Sequence, residues 1–221
     1  MLIANVSLIL APAALLFIWA YRRDVKQKGS GRLLITVSLF GVLSVGPAIL
    51  AGVLAEPLRM HLRGPTRLLY DAFVVAALVE EGVKFVLLSS FVRRHADFAG
   101  PADGLVYGMS ASLGFALLEN ALYAGGPTAV VLLRSVTAVP LHAGCGALIG
   151  YFIGLAHADP RHSRATGFLL AVLLHGSYDA AIFAGPPVAY IAILIVAGLA
   201  VAVAVLMRQA ARRENCHSAC R

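Results

Sequence analysis

The sequence predicts an all-α, polytopic transmembrane bundle of about seven spans, and three observations predict it. The 221 residues are 60% hydrophobic and only 13% charged, whereas soluble domains carry about 25% charge. Mean hydropathy is +0.84, and the apolar residues gather into runs of about 20, the length that crosses about 30 Å of hydrocarbon. The formal charge of +7 comes from basic residues at the ends of those runs, a pattern that suits anionic lipid and membrane topology and not nucleic acid.

The first run, 2–21, has no cationic stretch before it and Arg22, Arg23, Lys26, Lys28 and Arg32 directly after it. It therefore reads as a retained anchor rather than a cleaved signal peptide. The second covers 33–55. The third, 68–92, is apolar around a short charged motif. The fourth and fifth, 103–124 and 128–156, are glycine-rich, and Gly146, Gly150 and Gly154 recur every four residues, the spacing of a close helix contact. The sixth and seventh cover 165–184 and 187–207. Short loops leave no room for a soluble domain, so 1–221 is expected to be one integral membrane domain. Residues 68–184 form its core and 208–221 a cytoplasmic tail.

Orientation follows from the cations. Alternate loops and the tail hold the five named above with Arg93, Arg94, Arg161, Arg164, Arg208, Arg212, Arg213 and Arg221, against Arg59, Arg63 and Arg67 on the opposite side. The positive-inside rule puts the N-terminus outside and the C-terminus in the cytoplasm, and the expected location is the plasma membrane.

Within the spans stand Glu80, Glu81, Lys84, Glu119, Arg134, His142, His175 and Asp179. Each charge at bilayer depth costs about 2.5–3.5 kcal/mol on insertion scales, so ionisable residues there mark a functional site by default. At 1.5 Å per residue, Glu80, Glu81, His142 and His175 fall near the midplane. Glu119, Arg134 and Asp179 fall toward the outer side, so side chains from four helices share one layer. Glu80 and Lys84 are four apart and are expected to pair, with Glu81 turned about 100° away. His175 and Asp179 are also four apart, which lets the carboxylate orient the imidazole. Four carboxylates against two cations leave −2, which one divalent cation or two protonated carboxyl groups would compensate. Water activation for amide hydrolysis fits these groups. A glutamate acts as general base, and the histidines either bind zinc with a carboxylate or bond the developing oxyanion.

The motifs Glu80-Glu81-x-x-Lys84, Asp103-Gly-Leu-Val-Tyr-Gly, Gly114-Phe-Ala-Leu-Leu-Glu119-Asn120, His142 and His175-x-x-x-Asp179, in that order, resemble the PrsW-type intramembrane proteases. That family sits in a superfamily with the CAAX prenyl endopeptidases. The likeness runs from about Tyr70 to Asp179. It implies an endopeptidase acting on membrane-anchored proteins such as anti-sigma factors, by site-1 type cleavage from the outside. It also implies Glu80, Glu81, His142 and His175 as catalytic residues, with Lys84, Glu119, Asn120 and Asp179 supporting them; Arg134, outside those motifs, is expected to hold charge or anchor the site. A zinc ion, if used, would sit on Glu81, His142 and His175; the family is described both as metallo- and as glutamate-type, so zinc stays open.

Other chemistries fit less well. No HExxH is present, Gly108-Met-Ser110-Ala lacks the second glycine of a rhomboid-like serine motif, and Tyr178-Asp179 has no Gly-x-Gly-Asp partner. A proton-coupled transporter would show internal repeats or paired broken helices. A non-catalytic assembly subunit is the other alternative, one that keeps the polar cluster for structure alone. The Cys216-His217-x-x-Cys220 tail has a metal-like look, but three candidate ligands in a chain tail are weak evidence of a metal site.

Overall fold

A computed structural model describes residues 2–26 and 31–219, with side chains described for 2–23 and 31–213. The Cys216 and Cys220 tail lies outside those side chains. The described residues are helical with no strand. The first helix, α1, spans Leu2–Lys26, and its Asn5 Nδ2 donates to the carbonyls of Ala124 and Gly126 at 2.9 and 3.1 Å. The second crossing is two helices, α2 (Gly31–Leu43) and α3 (Val45–Arg59). They break at Ser44 because Pro47, in the first turn of α3, has no N–H to donate to Leu43.

The third crossing is continuous helix of three kinds. It starts as α4 (Gly64–Leu69), widens into a π-helix over Tyr70–Leu78 and ends as α5 (Val79–Ser90). Six other described segments are long and apolar enough to cross a membrane. This one is divided by its π stretch, and Asp71, Glu80, Glu81 and Lys84 lower its apolar character. The count of membrane-capable helices by length and composition is therefore six rather than seven. The rest follow as α6 (Pro101–Leu122), α7 (Thr128–Ala158), α8 (Ala165–Ala184) and α9 (Ile191–Ala219). Proline in the first turn starts α6, as its missing N–H costs nothing there. Gly185, at φ 72°, ends α8 in a conformation open to glycine.

The two most buried helices, α6 and α7, pack face to face at the centre. Their contact is backbone on backbone. A Cβ added at Gly104 or Gly108 would collide with the carbonyls of Gly150 and Gly146, and one at Gly150 with that of Gly104. On its other face α6 meets α2, where Gly41 approaches the Ala111 carbonyl, and Ser38 Oγ donates to Ser110 O at 3.1 Å. Around this pair, α8 packs on α7 and on the π segment, α9 covers α7 and α8, and α1 lies across α6 and α7. Large apolar side chains cover the outside, including Leu54, Leu132, Leu173 and Leu194. That suits a surface solvated by lipid.

Candidate active site

Four helices bring ionisable side chains to one place. Glu80, Glu81 and Lys84 come from the first turns of α5, Glu119 and Asn120 from the last turn and a half of α6, Arg134 and His142 from α7, and His175 and Asp179 from α8. Eight of these nine lie in two bonded chains.

The first chain centres on Lys84. Its Nζ donates to Glu81 Oε1 at 2.8 Å and to His142 Nδ1 at 3.0 Å, and sits 4.2 Å from the centre of the Phe115 ring. Lys84 and Glu81 are both fully enclosed. The expected pairing of Lys84 with Glu80 is corrected: the partner is Glu81, three residues away. Positions three and four apart are both helical neighbours, and an ammonium cut off from water goes to the enclosed carboxylate. From Glu81 Oε1 the chain continues to His175 Nδ1 at 2.8 Å, and from His175 Nε2 to Asp179 Oδ2 at 3.2 Å. Asp179 thus meets the imidazole one turn below it.

The second chain begins at His142 Nε2, which faces Glu119 Oε2 at 2.8 Å. Glu119 Oε1 accepts from Arg134 Nη2. Arg134 also donates from Nε to Asn120 Oδ1 at 2.9 Å and stacks on Tyr123, 3.9 Å from the ring centre. Because the carboxylate can only accept, His142 donates from Nε2, and its Nδ1 lone pair faces inward. Removing Arg134 strips Glu119 of its cation at a half-buried site. We expect Arg134→Met to cost about 1–3 kcal/mol of stability and to weaken any metal affinity by about tenfold through a misaligned His142. Thermal unfolding and metal titration of purified protein check both.

Glu80 is outside both chains. Its Oε2 is buried, makes no hydrogen bond and lies 4.0 Å from His142 Nδ1. Glu80, His142 and His175 offer ligand atoms that all lie within 4.8 Å of one another, and the two imidazole rings meet edge to face with centroids 5.0 Å apart. The ligand set read from the sequence had Glu81 in the carboxylate place. Here Glu80 stands in this group, while Glu81 is engaged by Lys84 and His175. The cluster is graded in exposure. Side chains of Glu81, Lys84, His142 and His175 are 0–4% accessible, against 14–20% for Glu80, Glu119, Arg134 and Asp179. The second group is therefore the more open side of the cluster, and on it Glu119 and Arg134 stand near the end of α6 and the start of α7.

One pair near the site escaped sequence reasoning. Tyr178 and Thr137 hydroxyls bond at 2.7 Å, and Thr137 Oγ1 also donates to Leu133 O at 2.7 Å. Tyr178 therefore donates to Thr137 and ties α8 to α7 beside Asp179. Only the rotation of two helices about their axes creates this contact, and a single sequence carries no signal of it.

An all-helical membrane bundle holding a buried Glu/His/His group fits a metal-type active site of the intramembrane protease class. The profile of the PrsW family of intramembrane metalloproteases matches residues 29–208. Among curated relatives, Protease PrsW of Shouchella clausii is 35% identical over 175 residues, 77% of this chain and 79% of the relative. That of Geobacillus kaustophilus is 36% identical over 182 residues, 76% and 75% of the two chains, and that of Bacillus subtilis 31% over 181 residues, 80% and 81%. No solved structure matches the chain. The chain belongs to the PrsW family of intramembrane metalloproteases, and with its membrane-capable helices it is a multi-pass membrane protein.

The residues fit a divalent ion. A buried carboxylate oxygen without a partner beside two imidazoles is a ligand set in waiting. Glu80, Glu81, Glu119 and Asp179 against Lys84 and Arg134 also leave −2 to be balanced. In the described geometry both nitrogens of His175 face carboxylates, so the ring donates from both. A cation there would take the place of a proton on His175 and of the Lys84 N–H on His142 Nδ1.

Proposed function

We propose that the chain is an endopeptidase cutting membrane-anchored, anti-sigma-factor-like proteins near the outer leaflet of the plasma membrane, in site-1 type cleavage. The observation that carries this reading is the buried, unpartnered Glu80 Oε2 beside His142 and His175, on the more exposed side of an otherwise closed cluster. The outer-leaflet assignment rests on the cation asymmetry, which favours a cytoplasmic tail and an outside N-terminus, with Glu119, Arg134 and Asp179 nearest the outer side.

Glu80, His142 and His175 would hold the ion, and one carboxylate with two imidazoles favours zinc. When bound, such an ion supplies Lewis-acid polarisation of the scissile carbonyl and a more acidic water. Glu119 fixes the His142 ring by accepting from Nε2, and Asp179 does the same for His175. Lys84 holds Glu81 ionised through Oε1 and leaves Oε2 without a partner. Glu81 Oε2 then takes the proton of the attacking water and delivers it to the amide nitrogen as the carbon–nitrogen bond breaks. Arg134 balances Glu119 at the mouth, next to where a substrate backbone would lie. Enclosure strengthens each of these interactions, because little water competes for the charges.

The test is metal content and cleavage measured together. Wild-type protein purified without added chelator should carry about one zinc per chain and cut a single-span substrate in proteoliposomes. His142→Ala/His175→Ala should lose both. Active protein free of metal would remove the ion from this reading and leave a glutamate-activated water with histidines on the oxyanion. Intact metal with no cleavage of any single-span substrate would favour the assembly-subunit alternative.

A further inference from the structure

At the end of the bundle away from the candidate active site, two clefts adjoin. One, of about 460 Å³, is lined by Arg93, Arg161, His162 and Arg164. The other, of about 640 Å³, is lined by His162, Arg212 and Arg213 above a floor of Leu155, Ala158 and Ala210. His162 borders both. The cationic side chains lining them are all arginine, apart from this histidine, and the acid between them, Asp159, is held by Arg161 at 2.8 Å. Among the described side chains, Arg164, Arg212 and Arg213 have no ion-pair partner.

We propose that the two clefts form one site for the phosphate of an anionic phospholipid headgroup, gripped by Arg164, Arg212 and Arg213. Each feature points to that chemistry. Planar guanidinium forks match phosphate oxygens two at a time, where lysine would offer only a point charge. The 20-residue helix α8 begins at this place with no side-chain cap, so its first N–H groups add positive potential to that of the arginines. The volumes suit a headgroup rather than a bare ion. The apolar floor under Arg212 and Arg213 decides between a lipid and a free phosphate. A soluble anion has no use for Leu155, Ala158 and Ala210, whereas the glycerol and first acyl carbons of a lipid do. The ends of α7 and α9, with the start of α8, meet here, so the bound lipid would brace three helices at the headgroup level.

The test uses the detergent-purified full chain. Native mass spectrometry with equal phosphatidylglycerol and phosphatidylcholine of one chain length, and thermal unfolding titrated with short-chain forms of each, give affinity and selectivity. The wild type should retain phosphatidylglycerol in preference and saturate. Arg164→Gln/Arg212→Gln/Arg213→Gln should bind it about tenfold more weakly. Arg22→Gln/Arg23→Gln/Arg32→Gln, which removes the same charge at the neighbouring loop, should stay within about twofold. Equal retention of the two lipids, or equal weakening in both variants, would overturn the site in favour of diffuse charge. Inorganic phosphate or glycerol phosphate binding as tightly as the lipid would overturn the lipid assignment. If the glutamine variant fails to assemble, Arg164→Lys/Arg212→Lys/Arg213→Lys keeps the charge. Undiminished binding there would refute recognition by the guanidinium fork. None of these readouts depends on proteolysis.

Discussion

Glu80→Gln is expected to lower cleavage by about 10³-fold or more, a loss of about 4 kcal/mol in transition-state stabilisation, with almost no change in thermal stability. The asymmetry comes from the bonding around it. Glu80 Oε2 has no hydrogen-bond partner and Glu80 forms no ion pair with Lys84, so an isosteric amide removes its charge without stranding a neighbour. Glu81→Gln should lose activity to a similar degree but also destabilise the protein by about 3–5 kcal/mol, because it leaves a fully enclosed ammonium uncompensated. Two adjacent carboxylates thus give the same kinetic result, with a stability loss at only one of them. Cleavage in proteoliposomes with unfolding in the same detergent distinguishes them. Near wild-type cleavage by Glu80→Gln would take Glu80 out of the chemistry. An unfolding temperature unchanged in Glu81→Gln would contradict the Lys84–Glu81 pair.

A rescue sharpens the distinction. Lys84→Met in the Glu81→Gln background removes both members of the buried pair, and replacing a whole pair by apolar or neutral groups is often neutral where breaking it is costly. Stability should return toward wild type while activity stays absent. A purely structural role for Glu81 would instead return both.

Much of this architecture was legible because membrane physics makes it so. Runs of about 20 apolar residues define crossings, and depth along each run placed Glu80, Glu81, His142 and His175 in one layer before any helix was packed. The i,i+4 link from His175 to Asp179 also lies within one helix, where geometry is fixed by the period. What depends on rotation between helices was not legible. Helix spacing offers Lys84 two carboxylates, at three and four residues; the choice of Glu81 follows from where His142 and His175 stand on α7 and α8. Depth put Arg134 in the same outer layer as Asp179 and Glu119 without choosing between them, and the turn between α6 and α7 gives it Glu119 with Asn120 and Tyr123. The π stretch Tyr70–Leu78 left no mark in an apolar sequence, yet its wider turns set the rotation with which Glu80 and Glu81 leave it.

The same dependence on helix rotation makes the glycine seam the most sensitive packing position. Gly150→Leu should cost about 3 kcal/mol or more, at or beyond the upper end of ordinary overpacking. Its Cβ would lie inside contact distance of the Gly104 carbonyl, and it has the Gly108 Cα, one turn further along α6, at 3.2 Å. Backbone cannot swing aside as a side-chain tip can, so α6 and α7 must separate along their length. Those two helices carry Glu119 and His142, whose 2.8 Å bond tolerates little displacement, so activity should fall along with stability. Gly198→Ala on α9 is the matched control: a Cβ there meets nothing within 4 Å. Alanine should be neutral or stabilise by up to about 1 kcal/mol through helix propensity alone. Unfolding temperatures of the two variants in one detergent decide the matter. Equal, small effects would mean that the α6–α7 contact is looser than backbone on backbone, and that the alignment of Glu119 with His142 is held by their own hydrogen bond rather than by the glycine seam.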